Sequence, residues 1–192
     1  MEIIFATGNK NKLREAQEIL GKHYTLKTPA DYGILEDIPE TSDTLEGNAS
    51  IKSHYIWERL SLPCFADDTG LEVNALNGEP GVKSARYAGE GKDSKDNMEK
   101  LLKNLEGKDD RSAQFRCCIS LIIDGKEHIF NGKCEGEITT ECSGKGGFGY
   151  DPIFKPNGFD KSFSEIPAEE KNSISHRGYA LEQLKEWFLQ NK

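Results

Sequence analysis

The chain lacks the features that would place it in or across a membrane. No apolar run approaches the roughly 18–20 residues a spanning helix needs, so a membrane segment is not expected. Residues 1–6 have neither a basic start nor a long apolar stretch, so no secretory signal is expected either. Cysteine is scarce and odd in number: Cys64, Cys117, Cys118, Cys134 and Cys142, with no CxxC spacing. A disulfide framework or a structural zinc site is therefore disfavoured, and buried free thiols in a reducing, cytoplasmic setting are expected. The four histidines show no metal-ligand spacing. Positive charge is in deficit, with 25 Lys+Arg against 33 Asp+Glu and a net charge of −8 over 192 residues. That balance argues against a nucleic-acid partner, which needs basic stripes against phosphate. An anionic ligand would have to be met by a local cluster of cations. No repeat, low-complexity tract or linker divides the chain, so residues 1–192 read as one domain.

What is present suffices for a core: 35% of residues are hydrophobic and 30% charged. Residues 2–6 read as a strand running into Thr7-Gly8-Asn9. Lys10 to Leu20 follows as a helix, with Leu13, Ala16, Ile19 and Leu20 on one face and Gly21 as its stop. Asp43-Thr44-Leu45-Glu46 has capping-box spacing and predicts a helix to about Leu60, with Asp43 as its cap. Pro63 to Ala66 reads as a short strand ending in the polar turn Asp67-Asp68-Thr69-Gly70, and Leu71 to Leu76 as a second strand. Asp93 to Leu105 has helical spacing, and Ala113 to Ile123 alternates as a long strand. Asp124-Gly125 signals a hairpin returning to Gly132, with a further strand at 134–140. Residues 175–190 read as the last helix. The mixture predicts an α/β fold with a mixed sheet, bent into two lobes.

Four segments combine residue types that suit chemistry. Thr7-Gly8-Asn9-Lys10-Asn11-Lys12 joins a strand to a helix, where free N–H groups and the dipole favour an anion and the lysines suit a polyphosphate. The same residues also read as a plain helix cap with solvated lysines. Asp67-Asp68-Thr69-Gly70 offers oxygen ligands to Mg²⁺, with Glu40, Asp43 and Glu46 upstream as further candidates, or else forms an ordinary polar turn. Gly146-Gly147-Phe148-Gly149-Tyr150-Asp151 sets an aromatic among glycines, which suits a stacked base or a turn with a buried ring. Lys171 with Ser175-His176-Arg177 puts basic residues at a helix start. That placement opposes the macrodipole, and such local conflicts occur mainly at sites.

Together these segments resemble the inosine triphosphate pyrophosphatase family, the XTP/dITP diphosphatases, over nearly the whole chain. The shared runs are Thr7-Gly8-Asn9-x-x-Lys12-x-x-Glu15, Glu46-x-Asn48-Ala49-x-x-Lys52 and Ala66-Asp67-Asp68-Thr69-Gly70-Leu71-Glu72-Val73. Pro80-Gly81-Val82-x-Ser84-Ala85-Arg86-Tyr87-Ala88-Gly89, Gly146 through Phe154, and Glu170-Lys171-x-x-x-Ser175-His176-Arg177 complete the set. The resemblance implies an elongated mixed sheet with flanking helices, two lobes around a central cleft, and a homodimer. It implies Mg²⁺-dependent hydrolysis of ITP, dITP and XTP to the monophosphate and pyrophosphate, which would cleanse the nucleotide pool.

Carried over by position, Thr7, Gly8, Asn9, Lys10, Asn11 and Lys12 would bind the triphosphate, aided by Lys52. Asp68 would be the general base and a Mg²⁺ ligand, with Glu40 and Asp67 as the other metal-linked carboxylates. Thr69 would touch the substrate. Phe148, Gly149, Tyr150, Asp151, Lys171, His176 and Arg177 would surround the base. The sequence departs from the family where a glycine commonly follows the metal-linked glutamate; the run here is Glu40-Thr41-Ser42-Asp43-Thr44. Lys83 and Ser53 are smaller departures, at an aromatic and an alanine position. A pyrophosphatase for pyrimidine or other modified nucleotides, and a nucleotide sensor that does not cleave, are the alternatives. The sensor has no need of a base beside the metal.

Overall fold

The computed structural model describes residues 1–191. In chain order the elements are β1 (Glu2–Phe5), α1 (Lys10–Leu20), β2 (Thr25–Lys27), α2 (Leu45–Leu60), β3 (Cys64–Val73) and β4 (Pro80–Gly81). They continue with α3 (Ser94–Asn104), β5 (Ser112–Ile123), β6 (Lys126–Ile138), β7 (Phe154–Pro156), α4 (Ala168–Ile174) and α5 (His176–Gln190). The strands form one mixed sheet in the order β2-β1-β3-β5-β6-β7, with β4 also on β3. Strand β1 runs parallel to both β2 and β3, while β3–β4 and β6–β7 are antiparallel. The α/β class with a mixed sheet is the architecture the sequence predicts. Among the described residues, no helix is long and apolar enough to cross a membrane.

The chain divides into two compact units. The first comprises Met1–Asp68, Cys117–Gly132 and Arg177 onward. Its main core sets the apolar faces of α1 and α5 against β1, β3 and β5: Ile3, Phe5, Ala16, Leu20, Phe65, Ile119, Leu181 and Leu184 are all buried. Phe5 and Phe65 stack at 4.4 Å, fixing β1 to β3 side by side. A smaller cluster of Ile4, Ala6, Ile56, Cys64 and Ala66 seats α2. The second unit comprises Thr69–Arg116 and Lys133–His176. Its core gathers Leu71, Val73, Leu101, Leu105, Phe115, Ile153, Phe154 and Phe163.

Several elements differ from the sequence reading. Asp67-Asp68-Thr69-Gly70 is not a turn but the middle of one ten-residue strand, β3, and Asn74–Leu76 is a 3₁₀ turn. Two successive carboxylates look like a loop in sequence because their cations come from residues far along the chain. Strand β6 likewise runs unbroken from Lys126 to Ile138. Its glycine at 136 faces β7 so closely that a Cβ would meet the Lys155 carbonyl and the Phe154 ring. Thr44, not Asp43, caps α2, its hydroxyl accepting from Gly47 N–H at 3.0 Å. The region before the last helix holds the separate seven-residue α4, and Ser175 breaks the two apart in an extended conformation. The Asp124–Gly125 turn has φ values of 50° and 73°, as a two-residue hairpin of the I′ kind requires.

Four of the five thiols are buried and only Cys142 is exposed. Burial pushes the Cys64 thiol up to about 12 and the Cys134 thiol up to about 11. A thiol reagent at pH 8 is thus expected to modify one cysteine in the native protein and the rest only on unfolding. Rapid modification of two or more native thiols would contradict this packing.

Candidate active site

In the first unit, β1 delivers the chain to the start of α1. Asn9 caps that helix, its Oδ1 accepting from Asn11 N–H at 2.9 Å and Lys12 N–H at 3.3 Å. Thr7 Oγ1 accepts from Asn9 N–H at 3.1 Å, which tightens the turn. The positive end of the α1 dipole therefore sits beside Gly8 and Asn9, both exposed, and Lys10 is exposed next to them. Lys12 is not a solvated lysine: it turns inward and donates to Asp67 Oδ1 at 2.9 Å.

Strand geometry sends the successive Asp67 and Asp68 side chains to opposite faces. Each meets its own cations. Asp67 accepts from Lys12 and, through Oδ2, from Arg177 Nε at 3.1 Å, while Arg177 Nη1 donates to Glu15 Oε2 at 2.5 Å. This group of two cations and two carboxylates is neutral and almost wholly buried. Burial alone would raise the Asp67 carboxyl, but Lys12, Arg177 and Lys52 outweigh it and hold the group well below the usual carboxylate range. Burial would likewise strip the Arg177 charge, and Asp67 and Glu15 more than restore it.

Asp68 belongs to a second cluster. Lys52, from α2, donates to Asp68 Oδ1 at 3.2 Å and to Glu40 Oε1 at 2.7 Å. One ammonium between two carboxylates leaves this group one negative charge in excess. The buried Asp68 Oδ2 has no hydrogen-bond partner. Burial pushes the Asp68 carboxyl up, with Lys52 and Lys12 only partly opposing it. Burial would lower the Lys52 amine, yet Asp68 and Glu40 raise it above its ordinary value. An orphaned buried carboxylate oxygen in a net-negative group suits a divalent cation. Among the described residues no three His, Cys, Asp or Glu side chains form a complete metal cage. Asp68 and Glu40 could supply at most two carboxylates, the number Mg²⁺ typically takes from a protein.

In the second unit, the glycine-rich segment is braced from within. Asp151 Oδ2 accepts from Phe148 N–H at 2.9 Å and from Lys171 Nζ at 2.7 Å. Gly147 has φ 71°, and a Cβ there would meet the Asp151 carboxylate, so the turn needs glycine on both counts. The Lys171 ammonium lies 5.1 Å from the Phe148 ring centroid and 5.5 Å from that of Phe163. Tyr150 is buried, its hydroxyl donating to the Ser84 carbonyl at 2.7 Å. Its ring is thus part of the core and not available to stack a ligand. His176 stacks on Phe115 at 4.6 Å with the planes 14° apart. Gly149 has φ 62° and open space around it, and Thr69 is partly buried on β3 at the start of this unit.

The structure therefore brings Lys12, Asp67 and Arg177 together in one group, and Glu40, Lys52 and Asp68 in another. Phe148, Asp151 and Lys171 form a third. Arg177, expected at the base with His176, has its guanidinium on Glu15 and Asp67. Glu15 closes the Thr7–Glu15 run without an expected role; its signal in the sequence is a charged residue on the apolar face of α1, where only a buried partner makes it tolerable. An open groove of about 750 Å³ in the second unit, lined by Asn74, Arg111, Gln114, Glu135 and Glu137 among others, contains none of the expected site residues.

A model of the Ham1 family matches residues 3–187. A dITP/XTP pyrophosphatase of Flavobacterium johnsoniae is 56% identical over 184 residues, covering 96% of each chain. One of Christiangramia forsetii is 51% identical, covering 97% of this chain and 98% of its own. Among solved structures, the Staphylococcus aureus Ham1 protein superposes with a TM-score of 0.91 at 41% identity, with full coverage of both chains. A HAM1 protein from Coxiella burnetii gives the same TM-score and identity over 99% of each chain.

The Asp67 cluster makes a prediction about acid stability. A carboxyl whose folded pKa lies below its unfolded value of about 3.9 stabilises the fold fully above that pH and loses the contribution as pH falls through the folded value. Asp67→Asn should lower stability by about 3–5 kcal/mol at pH 7, as expected for a broken buried ion pair. Its melting temperature should then fall less steeply than wild type between pH 4 and 2. Parallel curves for the two proteins would remove Asp67 from the charge balance.

Proposed function

The chain belongs to the Ham1 family, and on that premise we propose that it is a Mg²⁺-dependent nucleoside triphosphate pyrophosphohydrolase. Its substrates are dITP, XTP and ITP, each cleaved to the monophosphate and pyrophosphate. The observation that carries the reading is Asp68: a buried carboxylate on a strand, one oxygen held by Lys52 and the other uncommitted, in a group with one surplus negative charge. A sensor that only binds nucleotide has no need of a base beside the metal.

The phosphates are assigned to the exposed N-terminus of α1, with Thr7, Gly8, Asn9, Lys10, Asn11 and Lys12, and to Lys52. Lys12 and Lys52 are already held in place by Asp67, Asp68 and Glu40, so their ammonium groups need little ordering when an anion arrives. Asp68 and Glu40 are the carboxylates that would hold Mg²⁺. Bound there, the ion would neutralise phosphate oxygens and ease departure of pyrophosphate. Asp67 stands apart from that set, because both of its oxygens are taken by Lys12 and Arg177. Its part is to keep those two cations buried and charged. Asp68 is the general base for the attacking water.

The base is assigned to the second unit. The Phe148 ring offers a stacking face, and the Lys171 ammonium beside it, held by Asp151, carries N–H donors only. A purine with a carbonyl at position 6 satisfies that donor, whereas the amino group of adenine faces it donor to donor. Unpaired groups of this sort can give roughly 10⁴-fold rejection.

Pyrophosphate release is to be measured across ITP, dITP, XTP and ATP with Mg²⁺. Turnover of the first three and poor kcat/KM for ATP are expected; equal values for ITP and ATP would defeat the base assignment. Asp68→Asn should fold and lose about 10²–10⁴ in kcat, the usual contribution of a general base. Near-normal kcat in that variant would remove Asp68 from the chemistry.

A further inference from the structure

Helix α2 carries two buried polar side chains one turn apart, Asn48 and Lys52. Residues four apart share a helix face. Lys52 meets Glu40 and Asp68. Asn48 reaches instead to the segment between Glu40 and the helix cap. Ser42 N–H donates to Asn48 Oδ1 at 2.9 Å, and Asn48 Nδ2 donates to the Ser42 carbonyl at 3.1 Å. The side-chain amide thus pairs with the backbone as a neighbouring strand would, and it does so two residues after Glu40. A separate observation seats the same segment on the same turn. A Cβ on Gly47 would run into Ser42 Oγ, with Ser42 Cβ 2.7 Å and Thr44 Oγ1 2.9 Å away. Residue 47 therefore has to be small for the segment to lie where it does.

Segment 37–43 has no helix or strand of its own, and the Glu40 side chain is 26% exposed. Nothing in its local backbone pattern determines where that carboxylate points. The hold on Ser42 supplies what the local pattern lacks, because it ties Glu40 to the helix that also delivers Lys52. From this we infer that Asn48 is a positioning residue, whose two-bond grip on Ser42 sets the Glu40 carboxylate where it and Asp68 take a divalent cation. The inference rests on the cation reading above and adds a residue that touches neither ion nor substrate.

The test is a titration of Mn²⁺ into the nucleotide-free protein, with free Mn²⁺ followed by electron paramagnetic resonance. Loss of an outer partner of a metal ligand typically weakens binding about 10–100-fold. Asn48→Ala should show a loss in that range. Gly47→Ala, which leaves the amide in place and displaces Ser42, should weaken binding in the same direction. Ile56→Val, which opens space elsewhere on α2, should bind as wild type does. In the dITP reaction, Asn48→Ala should need more Mg²⁺ yet approach wild-type kcat at saturating Mg²⁺, unlike a variant that has lost a catalytic group. Wild-type Mn²⁺ affinity in Asn48→Ala overturns the inference, as does an equal loss in Ile56→Val. If Asn48→Ala does not fold, Gly47→Ala decides by the same comparison. A wild-type protein that binds no Mn²⁺ even with a non-hydrolysable dITP analogue present sinks the cation reading itself, whereas normal wild-type binding with unaffected variants sinks only the role of Asn48.

Discussion

Two adjacent carboxylates buried in one strand create the problem that the first unit is built to solve. An uncompensated buried charge is destabilising by several kcal/mol at the least, on the order of the whole stability of a domain. Strand pleating separates Asp67 from Asp68, so each is hydrogen-bonded by different cations. Asp67 is satisfied by Lys12 from α1 and Arg177 from α5, and Asp68 by Lys52 from α2. Three helices are thereby registered against one strand by charge as well as by apolar packing. The two solutions differ in completeness. The Asp67 group balances exactly as many cations as carboxylates, whereas the Asp68 group is left one charge short, with an oxygen unsatisfied. A protein selected only for stability would close that gap; leaving it open supports the proposed cation and polyphosphate site.

The second unit uses the same logic on a smaller scale. Asp151 holds the Phe148 backbone and the Lys171 ammonium with a single oxygen, which ties the aromatic residue and the cation beside it to one anchor. Ser164 reinforces the segment, its hydroxyl donating to the Gly146 carbonyl at 2.6 Å and its carbonyl accepting from Gly146 N–H at 3.1 Å. A glycine-rich stretch is expensive to order on its own. These bonds supply the order while Phe148 stays only half-buried.

How much of this was legible in the sequence depended on range. Periodicity located α1, α2, α3, α5 and β5, because an apolar face is written in residues three, four or two apart. The Asp124–Gly125 hairpin was legible because two residues suffice to specify it. Strand β3 was not, since Asp67 and Asp68 read as a turn until Lys12, Lys52 and Arg177 are known to lie beside them. Helix α4 escaped because seven residues with a polar surface leave too short a pattern. The motif residues were found as residue types, but their partners were not. That Arg177 meets Glu15, 162 positions away, and that Asn48 grips Ser42 are facts of tertiary structure with no local signature.

Where a divalent cation binds decides between a catalytic and a merely structural role for Asp68. Crystals grown with Mn²⁺ and a non-hydrolysable dITP analogue would give its position by anomalous scattering. A peak within ligand distance of Asp68 Oδ2 and Glu40, with phosphate oxygens completing the shell and Lys12 still on Asp67, is the expected result. A cation bound at Asp67, or a peak remote from both aspartates with Asp68 Oδ2 still unsatisfied, would contradict it.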